Sequence, residues 1–297
     1  MRKLATAKRA QILAMLVEGM SMRAVTRITG VSINTVTKLL LDAGEAAAAY
    51  HDDHVQNVEA GRIECDEMWG FVYAKAKNIA SAKAAPEGAG DAWAWTALDA
   101  DSKMILSWAI GRRDAMTALH VMDDLRDRLA NRAQLTTDGL RAYVEAVEAA
   151  FGGEIDYAML VKLFGKGGGE SERRCSPAEC IGARKVVVQG NPDPDKISTS
   201  YVERSNLSIR MGNRRLTRLT NAFSKSLYHH AAMLALYFLH YNFCRIHGSL
   251  RVTPAMAAGL DSTVRDCEWI VGLVDARAPK PNRPKTYRTK SRTTDSN

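Results

Sequence analysis

Apolar residues recur with two different periods along this chain, and the period changes near residue 62. In "AKRAQILAMLVEG", Ile12, Leu13, Leu16 and Val17 return at helical spacing, and Gly19 closes the run. "SMRAVTRITG" opens on Ser21, a good N-cap, and ends on Gly30. "VSINTVTKLLLDAG" opens on Ser32, with Gly44 as its expected stop. Two short helices around "TGVS" make a helix-turn-helix pattern over residues 1–43. Its last helix, Ile33 to Leu41, would set Asn34, Thr35, Thr37 and Lys38 against base edges or phosphates in a major groove. A plain three-helix cap fits the same pattern. Residues 44–61 break the basic trend and read as a solvated linker, in which His51 and His54 lack a further ligand set.

From Arg62 the pattern alternates and β-formers dominate. "RIECDEMWGFVYAK", "AWAWTALDADS" and "KMILSWAIGRR" read as three strands, the second and third joined by a tight "DADS" turn. "DAMTALHVMDDLRDRLA" is amphipathic, with Met116, Leu119, Met122, Leu125 and Leu129 on one face and Asp114 as cap. A strand over "AQLTTDGL", a helix over "RAYVEAVEAAFGG" and a strand over "IDYAMLVKLF" follow. The order predicts an α/β fold with a hairpin-rich start. Residues 165–195 hold glycine, proline and charge around one short strand, "KVVVQ". "GKGGG" lacks the spacing of a phosphate-binding loop, and Cys175 and Cys180 do not make a zinc half-site. Helices are expected from Tyr201 to Arg210, across "NAFSKSLYHHAAMLALYFLHYNFCRIH" and over 261–275. A basic, disordered tail is expected over 276–297.

Composition narrows the partners. The 297 residues carry a formal net charge of +8, which favours a polyanion. Five cysteines without repeated spacing argue against a disulfide framework and fit a reducing, cytoplasmic setting. The N-terminus lacks the apolar core of a signal peptide. The longest apolar run, Ala231 to Leu239, is too short to span a bilayer, so no membrane partner is expected.

Three carboxylates stand out by position. Asp66 falls within the first strand, where a charge is costly unless paired or metal-bound. Asp138 falls at the C-terminal end of a strand, where open α/β sheets place their sites. Glu203 lies on a helix as the single acid among five arginines in "YVERSNLSIRMGNRRLTR". Divalent ions such as Mg²⁺ take carboxylate oxygens, and two of them can serve phosphoryl transfer. A surface ion pair or an ordinary strand acid accounts for the same residues more blandly.

Four stretches carry a likeness to a known family: "ECDEMWGFV" at 64–72, "LTTDGLRAY" at 135–143, "STSYVERSNLSIRMGNRRLTRLTNAFSKS" at 198–226 and "HYNFCRIHGSLRVTPAMAAG" at 240–259. With the N-terminal helix-turn-helix, they resemble the DDE transposases of bacterial insertion sequences, towards the group around insertion sequence one. The likeness covers about residues 8–260. It implies a ribonuclease H-like core over 62–260, with Asp66, Asp138 and Glu203 as the metal-binding catalytic triad. It implies Mg²⁺, or Mn²⁺ in its place, and DNA as partner, with 3′-end cleavage followed by strand transfer. It also implies a homodimer or larger assembly on DNA, within the nucleoid. Arg210, seven residues after Glu203, shares its helix face and would hold a DNA phosphate. Arg214 repeats that face if the helix continues through Gly212. Trp69, Asn242, Arg245 and His247 lie in the matching motifs and could support the site, or simply pack and cap. Two rivals remain: a helix-turn-helix regulator with an inactive core, and a structure-specific nuclease.

Overall fold

The computed structural model describes residues 3–165, 180–217 and 220–278. "GKGGGESERRCSPAEC" falls almost wholly outside these residues, as does the expected tail from residue 279. The chain opens with α1 (Thr6–Val17), α2 (Met22–Thr29) and α3 (Ile33–His54). Ser21 accepts from Ala24 N, and Ser32 from Thr35 N, so both predicted caps form. Such a cap contributes about 1 kcal/mol. Gly30 takes the left-handed conformation, with φ of 71°, that lets the chain turn out of α2 and into α3.

The expected stop at Gly44 is not there, and residues 44–54 of the expected linker are helix. Helix α3 runs without a break for 22 residues. Gly44 is instead a point of close approach: a Cβ built on it would lie 2.5 Å from the Cα and Cβ of Ala232, on the helix Leu227–Phe243. Nor is His51 solvated. It is buried, and its Nε2 meets the Leu106 carbonyl at 2.9 Å. Nearby, Arg128 joins α3 to its own helix, Ala115–Arg128, by pairing with Asp124 and Asp52 and donating to the carbonyls of His51 and Val55.

The strands are β1 (Arg62–Val72), β2 (Gly90–Asp99), β3 (Ile105–Gly111), β4 (Gln134–Thr137), β5 (Asp156–Phe164) and β6 (Cys180–Gln189). They form one sheet in the order β3-β2-β1-β4-β5-β6. β1 pairs antiparallel with β2 and parallel with β4, β4 pairs parallel with β5, and β6 closes the far edge antiparallel. This is the mixed α/β arrangement, with a hairpin-rich start, that the sequence predicts. α4 (Ala115–Arg128) and α5 (Ala142–Phe151) cover one face, where Ser107 bonds Asp124. α6 (Ser200–Gly212) and α7 (Leu227–Phe243) cover the other, where Trp108 packs on Phe238. Short α8 (Pro254–Ala257) and α9 (Cys267–Arg277) finish the described chain.

The α4 stripe is shifted from the expected one. Ala118, Val121, Met122 and Leu125 are buried, while Met116 is 76% exposed in the first turn. One hydrophobic core runs from Ile12 and Leu13 through the sheet to Ile270 and Val271. The N-terminal helices therefore share the core of the α/β unit, with α3 packed on α7 and α9. No helix among the described residues is long and apolar enough to cross a membrane.

Candidate active site

The site forms where β4 ends and β1 continues. Their parallel register runs from Arg62–Gln134 to Cys65–Thr137. Asp66 and Asp138 are the next residue on each strand, so the sheet itself brings the two acids side by side. Side-chain oxygens of Asp66, Glu67 and Asp138 all lie within 4.8 Å of one another. Strand alternation sends Asp66 and Glu67 to opposite faces. They converge here because β4 stops at Thr137, which leaves the neighbouring edge of β1 open.

Each acid has its own partners. Asp66 accepts from Asn206 Nδ2 at 2.7 Å and from Glu67 N at 2.9 Å. Burial, then the charge of Asp138, lifts its pKa to about 6. Glu67, with a side chain only 1% exposed, binds Arg113 at 2.6 Å and accepts from the Tyr143 hydroxyl at 3.1 Å. Burial and then Asp138 push it up to about 7, despite the arginine. Asp138 accepts from Leu140 N at 2.9 Å and faces Arg113 at 3.5 Å. Both shifts come first from burial and only second from the neighbouring charge of Asp138. Hard cations such as Mg²⁺ and Mn²⁺ fit this donor set of oxygens.

Glu203 is in the first turn of α6, as expected, but its carboxylate is not among the three that cluster. It bonds Lys162 of β5 and the Thr199 hydroxyl, each at 2.5 Å. It nevertheless lies close enough to raise the Asp66 pKa further. Glu64, on the Asp66 face, accepts from Tyr201 N and Val202 N at 2.8 and 2.9 Å. It thereby caps α6 and fixes the helix that carries Glu203 and Asn206 against β1.

The other expected residues divide. Arg210 donates to the carbonyls of Trp69 and Leu216, both at 3.1 Å, so it clamps the end of α6 to β1. Arg214 does not continue its face, because α6 ends at Gly212 and Arg214 lies in the turn beyond. Trp69 is half-buried beside Phe71, with the Lys75 ammonium 5.4 Å from its ring. Asn242 is buried and pins β3 by exchanging two hydrogen bonds with the Ile105 backbone. His247 meets Ser249 in the turn after α7, and Arg245 is exposed beside it. On α3, Asn34 and Lys38 are exposed, Lys38 paired with Asp42 at 2.7 Å. Thr35 and Thr37 bond within their own turn, to Ser32 and to the Ile33 carbonyl.

Glu67, Arg113, Tyr143, Lys162 and Asn206 were not picked out as site residues from the sequence. Asn206 had a usable signal, since it follows Glu203 by three positions and so shares its face. The rest depend on which strands adjoin.

No family model and no curated protein matches the chain. Among solved structures, it is similar to one described as a simian T-cell lymphotropic virus intasome in complex with PP2A regulatory subunit B56 gamma. Identity there is 12% over 95% of this chain and 80% of that one, with a TM-score of 0.37. A piggyBac transposase synaptic complex with hairpin DNA aligns at 9% identity over 95% and 74%, with a TM-score of 0.38. A Mos1 transposase paired-end complex with the left transposon end aligns at 12% over 53% and 60%, with a TM-score of 0.22. These scores are too low to carry weight, so the functional reading rests on strand order and on the acids themselves.

Proposed function

We propose that this chain is a DNA transposase of the DDE kind. It binds element ends through α2 and α3 and cuts and joins phosphodiesters at Asp66, Asp138 and Glu203. The observation that supports this reading is the meeting of the Asp66, Glu67 and Asp138 carboxylates within 4.8 Å where two parallel strands adjoin. Asp66 and Asp138 would hold a divalent cation, Mg²⁺ or Mn²⁺, and Glu203 would join them on leaving Lys162. When bound, two such ions activate the attacking oxygen and stabilise the leaving one. The chain's own residues supply the rest. Asn206 orients the Asp66 carboxylate. Arg113 bridges Glu67 and Asp138 and limits their repulsion. Glu64 holds α6 in place through the backbone donors of Tyr201 and Val202. Joining two ends requires at least two protomers on DNA.

The test is metal-dependent nicking and strand joining on DNA from the gene's own flanks, with wild type beside Asp138→Asn and Glu203→Gln. Joined product only with wild type and a divalent ion supports the reading. Binding without cutting or joining under any metal ion rejects it. One observation favours a second reading, a DNA-binding regulator with an inactive core: Glu203 is held by Lys162, apart from the other acids. That reading predicts full DNA affinity and no product.

A further inference from the structure

A cleft of about 660 Å³ opens between the N-terminal helices and the connection from α6 to α7. Met22 and Arg23 of α2 and Ile33 of α3 form one wall. Asn213, Arg214, Arg215 and Lys225 form the other. Among the described residues lining it, none is acidic.

One buried and one half-buried donor in this cleft are short of acceptors. Asn213 is fully buried, and its Nδ2 has no hydrogen-bond partner among the described residues. Its Oδ1 accepts from Arg215 N at 3.1 Å, which fixes the way the amide faces. The Arg215 guanidinium meets Ser224 Oγ at 3.3 Å and Met22 Sδ at 3.1 Å, neither of them charged. Burial pushes its pKa down to about 10, with no carboxylate acting against the shift. A guanidinium drawn partly out of water gains from meeting an anion, and its planar fork suits phosphate oxygens. Arg23, Arg214 and Lys225 are exposed around it and add charge of the same sign.

We propose that this cleft binds a backbone phosphate of duplex DNA, held by Arg215 and the Asn213 amide, with Arg23, Arg214 and Lys225 on the flanking phosphates. The inference rests on the transposase reading and adds to it a second contact surface, away from the acids. The volume far exceeds the ~30 Å³ share of one water, which leaves room for a length of sugar-phosphate. The location favours duplex DNA over a free anion. One wall belongs to the helices that would read the element end, and the other leaves the helix that carries Glu203. A phosphate seated here ties the two together.

The experiment measures anisotropy of labelled duplexes with the full chain across a range of KCl concentrations. One duplex comes from the gene's own flanks and the other is unrelated. Arg23→Gln/Lys225→Gln alters only exposed side chains, so the fold persists, and circular dichroism checks it. Asn213→Asp places a negative charge against the phosphate at nearly constant shape. Arg277→Gln, exposed at the end of α9, is the control. The double variant should weaken both duplexes alike, about tenfold, and lower the slope of log K against log [salt] by about 0.9 per phosphate lost. A slope no different from that of Arg277→Gln overturns the proposal and leaves the transposase reading standing. Failure of wild type to bind either duplex overturns both. Inorganic phosphate is the second probe. If it raises the melting temperature of wild type but not of the variants, while duplex affinity is unchanged, the cleft is a free-phosphate site and the proposal falls.

Discussion

Asp66 and Glu67 are neighbours in sequence, and the contrast between them teaches most about the site. Asp66 and Asp138 were legible because a carboxylate inside a strand, or at its C-terminal end, is unusual enough to be noticed. Glu67 was not picked out: alternation sends it to the other face, and alternation cannot say where the neighbouring strand stops. The two aspartates carry the sharpest expectation. Asp66→Asn or Asp138→Asn should lower metal-dependent nicking by more than about 100-fold, since loss of an outer-shell partner alone costs up to that much. Single-turnover assays with Mg²⁺ and Mn²⁺ measure it. Lys162 predicts the opposite direction. Its ion pair with Glu203 is more than a third exposed on both sides, so it is worth at most about 1 kcal/mol. Lys162→Met should therefore raise Mn²⁺ affinity by no more than about fivefold, as titration calorimetry reads it. A loss would mean that Glu203 is not a ligand.

At the scale of elements, most helices and strands were visible in the sequence, because their caps and periods are local. The Ser21, Ser32 and Asp114 caps all form. The clearest miss was at Gly44. A glycine followed by small and polar residues looks like a helix end, yet here it admits a second helix. Whether a glycine ends a helix or lets another approach depends on α7, nearly 190 positions away in the chain. Gly44→Ala separates the two roles. At a helix end it would be mild. In the α3–α7 contact it should overpack and cost about 1–3 kcal/mol or more, read by urea denaturation. The α4 stripe was also misjudged: Met116 is in the first turn, where the helix has not yet reached the sheet, so it stays exposed.

The whole molecule behaves as one core, and its response to pH and truncation should follow. His51 and His230 are buried and pushed down to about 4, chiefly by burial. Their folded values lie below the ordinary 6.5, so the unfolded chain binds more protons between the two. Stability from this source is complete above about pH 6.5 and drains away as pH falls towards 4. Asp66 and Glu67 act with opposite sign: they favour the fold at low pH and lose that contribution as pH rises through about 6 and 7. His51→Gln isolates the first effect. Its stability relative to wild type should improve by roughly 2–3 kcal/mol between about pH 7 and pH 4, measured by denaturant melts at each pH. Deleting residues 1–43 should unfold the chain rather than merely abolish DNA affinity, because Ile12, Leu13, Val36 and Leu40 belong to the common core. A deletion protein that still melts cooperatively would contradict this. The unbroken α3 has one more consequence. Twenty-two residues at ~1.5 Å each make a rod of about 33 Å, close to one turn of the double helix. One end carries the residues that would read sequence, and the other is bolted to β3 through His51 and to α4 through Arg128. On the transposase reading, α3 is a ruler: it sets a constant spacing between the sequence recognised and the bond broken, whatever bases lie between.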